Sequence, residues 1–155
     1  MFQLSTILSM VKPWKTHAIL RVFLCIDAIN ENALRAHHYL DELLKQLRIK
    51  AQTRMISWEN VTSLLHNSTS DTADNVTTAV ASDSFVDVND DYIRGINELI
   101  RQQCDNTSCL YLYLPRPPRD RRLSQRYMHV LDMLSKDLPP TMFVHGVSSV
   151  TCTRL

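Results

Sequence analysis

A chain of 155 residues is long enough for one compact domain and too short for two ordinary ones. Hydrophobic residues make up 45% of it, enough for a core, and 17 basic against 16 acidic side chains leave a net charge of +1. That balance excludes a global field able to hold nucleic acid or an anionic membrane, so an electrostatic partner has to be met by a local patch.

In chain order, residues 1–17 form a lead-in segment without the basic n-region and small-residue cleavage site of a signal peptide. Residues 18–26 (AILRVFLCI) are β-branched and aromatic, which predicts a buried strand. The apolar stretch from Ala18 to Ile29 carries Arg21 and Asp27 and falls short of the roughly 20 residues a membrane crossing needs. Over 30–47, Leu34, Leu40, Leu43, Leu44 and Leu47 recur at three- and four-residue steps. They predict a helix with one core-facing stripe and Asn30 as its N-cap. A second strand is expected over 49–58, alternating imperfectly through Ile49, Ala51, Met55 and Ile56.

Residues 59–88 are dominated by Ser, Thr, Asn and Asp. So little apolar surface cannot offset the entropy of ordering, which predicts a largely disordered insertion, with a short helical turn around Val61 to Leu65. A helix is expected over 90–103, capped by Asn89 or Asp90, with Ile93, Ile96, Leu99 and Ile100 on its apolar face. The run Cys109 to Leu114 is apolar on both alternating faces, as in a central strand covered from both sides. Pro115 stops it. Ser124 is expected to cap a helix whose face is Tyr127, Leu131, Leu134 and Leu138, ended by Pro139 and Pro140. Strands are expected over 141–147 and 150–153. The alternation of strands and helices implies an α/β fold with a mainly parallel sheet flanked by helices.

Little of the chain has the spacing that chemistry needs. Two glycines, Gly95 and Gly146, cannot write a dinucleotide fingerprint or a phosphate loop, each of which requires several close together. His37 and His38 are adjacent on a helix and point about 100° apart, so they cannot share a metal as an i, i+4 pair does. No serine stands in the glycine-flanked turn of a nucleophile elbow. Asp87, Asn89, Asp90 and Asp91 lack the turn glycine and distal glutamate of a calcium loop, and suit a helix N-terminus better. Cys25, Cys104, Cys109 and Cys152 form no C-x-x-C pair, as expected of small apolar thiols in a reducing compartment. The sequons at Asn60, Asn67, Asn75 and Asn106 would mark exposed loops in a secreted glycoprotein, but they arise readily by chance in such composition. No catalytic, cofactor or metal site is expected.

One local feature stands apart. Pro115, Arg116, Pro117, Pro118, Arg119, Arg121 and Arg122 set four cations on a backbone stiffened by three prolines. This loop is the candidate for partner docking, onto an acidic protein surface, a lipid headgroup or a module that reads proline segments. No aromatics are interleaved, so a nucleic-acid stacking platform is unsupported.

The residues around this loop also carry a resemblance. Leu112-Tyr113-Leu114-Pro115-Arg116-Pro117-Pro118, the helix from Tyr127 to Leu134, and Leu138 to Val147 are similar to the C-terminal end of solute carrier family 12, the cation–chloride cotransporters. The strand Leu20 to Leu24 and the passage from Leu40 to Ile49 are similar too. His145, where other branches commonly have arginine, and Val150-Thr151-Cys152-Thr153 point to one branch, whose members are regarded as modulators of the others. The resemblance implies a universal-stress-protein-like half-domain on the cytosolic face of a membrane, with residues 18–155 regulating a longer parent protein of which this is a fragment. It implies partners as well: a second copy or other cation–chloride cotransporters, and the parent's membrane domain. The family's ion-binding residues lie in the membrane part, so none falls on this chain. No ATP or other cofactor is expected, because the glycine-rich phosphate loop of nucleotide-binding stress proteins is absent. The alternative is a free-standing, stress-protein-like ligand binder.

Overall fold

The computed structural model describes residues 2–26, 33–59, 61 and 85–146. These fall into two compact units, one built on residues up to Glu59 and the other between Asn60 and Val147. The α/β class and the parallel pairing are as the pattern predicts, with the strands paired two by two. Among the described residues no helix is long and apolar enough to cross a membrane.

The first unit opens with two short helices, α1 (Phe2–Met10) and α2 (Lys12–His17), where the sequence suggested only a lead-in. Periodicity gives no warning of α1: Leu4, Ile7 and Met10 are exposed while Ser5 is buried, the reverse of an amphipathic stripe. Pro13 stands in the first turn of α2, where its missing amide N–H costs nothing. Strand β1 (Arg21–Ile26), helix α3 (Ala33–Gln46) and strand β2 (Gln52–Ser57) then make a βαβ unit. Its strands pair in parallel, Arg21 with Gln52 through Ile26 with Ser57.

The core of this unit is Val22, Leu40 and Leu44, with Leu20, Leu24, Ile49 and Ala51 packed against it. The expected α3 stripe is narrower than its leucines suggest. Leu34 is exposed near the N-terminus, and Leu47 lies beyond the last turn and is exposed as well. Met55 in β2 and Cys25 in β1 are also exposed. The Asn30 cap lies outside the described residues.

The C-terminus of α3 ends in a Schellman motif. Ile49 N donates to Leu44 O at 2.8 Å, Arg48 N donates to Lys45 O at 3.0 Å, and Ile49 packs on Leu44. Arg48 holds the left-handed position at φ 55° that glycine usually fills. A Cβ in that conformation is crowded by backbone, and roughly 1 kcal/mol is recovered when glycine replaces it. Arg48→Gly is therefore expected to raise stability, by somewhat less than that amount because glycine also loosens the unfolded chain. A shift of the urea midpoint to higher concentration is the check.

The second unit contains helix α4 (Asp90–Gln102), strand β3 (Leu110–Tyr113), helix α5 (Ser124–Ser135) and strand β4 (Thr141–Val144). β3 and β4 pair in parallel, Leu110 with Thr141 through Tyr113 with Val144, and α5 is the crossover. Asn89 caps α4 as expected, its side chain accepting from Asp91 N at 3.0 Å. Ile93 and Val130 are fully buried and, with Leu134, form the centre that Ile96, Ile100, Leu112, Met133 and Phe143 surround.

Three expectations need correction here. The buried positions of α5 are Tyr127, Val130 and Leu134, while Leu131, expected on that face, is half-buried and Leu138 lies beyond the helix and is half-buried too. Strand β3 is not covered on both faces: Tyr113 is exposed and its neighbours are half-buried. The insertion expected over 59–88 ends earlier. Phe85–Asp87 form a 3-10 turn with Val86 buried, and Phe85 and Val88 pack on the core. At its other end Val61 is buried. Residues 62–84, including most of the expected helical turn from Val61 to Leu65, lie outside the described residues, as does the strand expected over 150–153.

Candidate functional site

The proline–arginine loop begins where β3 runs out. Leu114 N donates to Val144 O at 3.0 Å, the last bond of the ladder, and Pro115 has no N–H with which to extend it. The Pro115 carbonyl is satisfied from the next helix: Tyr127 Oη donates to Pro115 O at 2.7 Å. Tyr127 is buried, and burial pushes its phenol pKa up, so it stays a neutral donor. A buried tyrosine needs such a partner for its hydroxyl, and here the partner is the root of the loop.

Asp120 organises the far end. Its side chain accepts from Arg122 N at 2.9 Å and its carbonyl accepts from Leu123 N at 3.1 Å, which closes a 3-10 turn over Arg121–Leu123. The cap expected of Ser124 is thus supplied one turn earlier. Ser124 is the first residue of α5 and Leu123 precedes it with no side-chain bond. Aspartate suits this role because its short carboxylate reaches the amide two residues on.

Between these anchors Arg116, Pro117 and Arg119 are exposed, Pro118 is half-buried, and Arg121 and Arg122 are exposed on the turn. Ion pairs among the described residues include His37–Asp41, Lys45–Glu42, Arg94–Asp91, Arg101–Glu98 and Arg126–Asp90. None involves a loop arginine. Four guanidinium groups therefore stand exposed within seven residues of a loop tied down at both ends.

The loop's support also reaches the segment before α4. The Phe85 ring meets Tyr127 edge-on, with centroids 6.4 Å apart. Arg126 donates to Val86 O at 3.3 Å and Val88 O at 3.0 Å. Its Nη2 also lies 2.5 Å from Asp90 Oδ1, an ion pair whose angle falls outside hydrogen-bond alignment. The Arg126 guanidinium beside it holds the Asp90 carboxyl below the usual carboxylate range, with Arg94 and His129 adding to the effect against some loss of solvation. Sequence reasoning missed Arg126 because polar residues on a helix face carry no period of their own.

Two other polar groupings are present. A shallow groove of about 380 Å³ at the α4–α5 seam is lined by Arg94, Asn97, His129, Asp132, Met133 and Lys136. Within it Asn97 Nδ2 donates to Leu134 O and Lys136 O, both at 2.9 Å, and so caps the end of α5. In the first unit, His37, Asp41 and Thr53 meet between α3 and β2. The Thr53 hydroxyl donates to Asp41 Oδ1 at 2.9 Å and lies 3.2 Å from His37 Nε2. Activation of a hydroxyl requires the reverse, its proton directed at the imidazole, so this network joins helix to strand. Among the described residues no cluster of three histidine, cysteine or acidic side chains has metal-site geometry, and Cys25, Cys104 and Cys109 are thiols rather than disulfides.

Comparison with known proteins places these elements in context. The family model of solute carrier family 12 matches residues 4–153. The chain is similar to solute carrier family 12 member 9 of Danio rerio, 32% identical over 157 residues that cover all of this chain and 16% of that protein. It is similar to the Homo sapiens member 9, 34% identical over 173 residues covering all of this chain and 18% of that one. A shorter similarity, 38% over 52 residues, links a third of the chain to potassium/chloride cotransporter 3 of Caenorhabditis elegans. The chain thus spans less than a fifth of the length of these relatives.

Proposed function

Because the chain belongs to solute carrier family 12, we propose that it is a cytosolic C-terminal regulatory and dimerisation domain of a cation–chloride cotransporter-like membrane protein. It acts by presenting surfaces: to a second copy or another cotransporter, and to the membrane domain of its own parent. In this reading cation and chloride movement belongs to the parent, and these residues bias it. The docking surface is the loop of Pro115, Arg116, Pro117, Pro118, Arg119, Arg121 and Arg122.

The observation that carries the reading is the family match across nearly the whole chain, joined to a fixed loop whose four arginines form no ion pair among the described residues. The test is light scattering coupled to size exclusion on the purified chain. A dimer at micromolar concentration is expected, and a strict monomer at high micromolar concentration would overturn the dimerisation reading.

A further inference from the structure

We propose that the loop between β3 and α5 docks on anionic lipid headgroups, so that the second unit lies against the surface of a membrane. The inference rests on reading this loop as a docking surface and names its partner. Arg116, Arg119, Arg121 and Arg122 are all exposed, and none forms an ion pair among the described residues. They are spaced over seven residues of the loop, and the groove at the α4–α5 seam includes none of them. A reader of acidic peptides gathers its cations around one concavity to grip a fixed carboxylate or phosphate. Charge spread along a strip fits a plane of mobile headgroups, where each arginine finds its own phosphate.

Apolar side chains beside the cations point the same way. Leu123, next to Arg121 and Arg122, is 37% exposed, and Met128 on the first turns of α5 is 62% exposed. Cations flanking exposed apolar groups suit an interfacial position, with the charge among the headgroups and the apolar part just beneath. The latches from Tyr127 to Pro115 and from Asp120 to Arg122 lower the ordering cost of contact.

The measurement is co-sedimentation of the whole chain with vesicles of phosphatidylcholine containing about one third phosphatidylserine, against pure phosphatidylcholine, over a range of salt. Each arginine near an anionic surface is worth roughly five-fold in partitioning. R121Q/R122Q is therefore expected to weaken binding by about 25-fold, with secondary structure unchanged by circular dichroism. D120N is the sharper variant. Its amide oxygen still accepts from Arg122 N, so the turn is kept while the one negative charge in the loop is lost. Binding should tighten by roughly five-fold, which no purely structural role for Asp120 produces.

Equal binding to neutral vesicles, or binding indifferent to R121Q/R122Q and D120N, would overturn the proposal. So would preference for soluble polyglutamate over the vesicles, which would assign the loop to an acidic protein partner. Light scattering on the same preparation keeps this result apart from the dimerisation reading. A monomer that binds anionic vesicles removes the dimer and keeps the lipid contact; a dimer that ignores them does the reverse.

Discussion

Ile93→Ala is expected to lower the stability of the second unit by about 3 kcal/mol. Ile93 is fully buried at the centre of the cluster with Val130 and Leu134, and residues from α4, α5, β3 and β4 surround it. Truncation removes the transfer free energy of three carbons and leaves a cavity that a small core closes poorly, because each wall belongs to a different element. Three residues of this unit's cluster count as buried, so there is little else to share the loss. Against total stabilities of about 5–15 kcal/mol for a domain, the change is large. Far-UV circular dichroism in urea gives the magnitude. Hydrogen exchange of the α4 and α5 amides locates it, because Trp14 and Trp58 both lie in the first unit and report elsewhere. Ile93→Val should cost about 1 kcal/mol, and a similar cost for both variants would mean that the site collapses freely.

What the sequence made legible follows from which signals survive without neighbours. Apolar period located α3, α4 and α5 within a few residues, because a stripe of leucine and isoleucine has one economical use. The Asn89 cap was legible for a similar reason: an asparagine before two aspartates and an apolar run has a local hydrogen bond to make, and it makes it to Asp91 N. Family resemblance was legible in the segment from Leu112 to Val147, and the match to residues 4–153 and to member 9 relatives bears it out.

The failures share a cause. Helix α1 escaped notice because its apolar residues are not gathered on one face of the helix, and no stripe marks it. The end of the insertion was misplaced because Phe85, Val86 and Val88 are isolated apolar residues among polar ones, and only contact with α5 gives them a place. Arg48 and Asp137 stand in left-handed positions without glycine, so the usual helix-stop signal is missing at both sites. For the loop, sequence located the seven proline and arginine residues but not what holds them. Tyr127 lies 12 residues from Pro115, and a bond that spans that distance has no signature in a linear chain.

Arg126→Ala is expected to destabilise the second unit by about 2 kcal/mol, within the range for charge-assisted hydrogen bonds. The guanidinium bonds Val86 O and Val88 O, which precede α4, while its own residue belongs to α5. No other group is placed to take over those carbonyls from the same helix, so truncation leaves two half-buried acceptors to water that reaches them poorly. Arg126→Lys should recover only part of the loss, since a single ammonium lacks the fork that reaches two carbonyls and a carboxylate together. Hydrogen exchange should rise first over residues 85–102, where the clamped chain begins. The Asp90 pair adds a pH signature. Its folded pKa is lowered by Arg126, so its contribution is complete above the unfolded value near about 4 and is lost as pH falls through the lowered one. The wild-type chain should therefore lose stability along an acid limb below about pH 4 that is shallower in Arg126→Ala and in Asp90→Asn. Identical acid limbs in all three proteins would mean that Asp90 and Arg126 do not interact in solution. The two carbonyl bonds would then be the whole of the clamp.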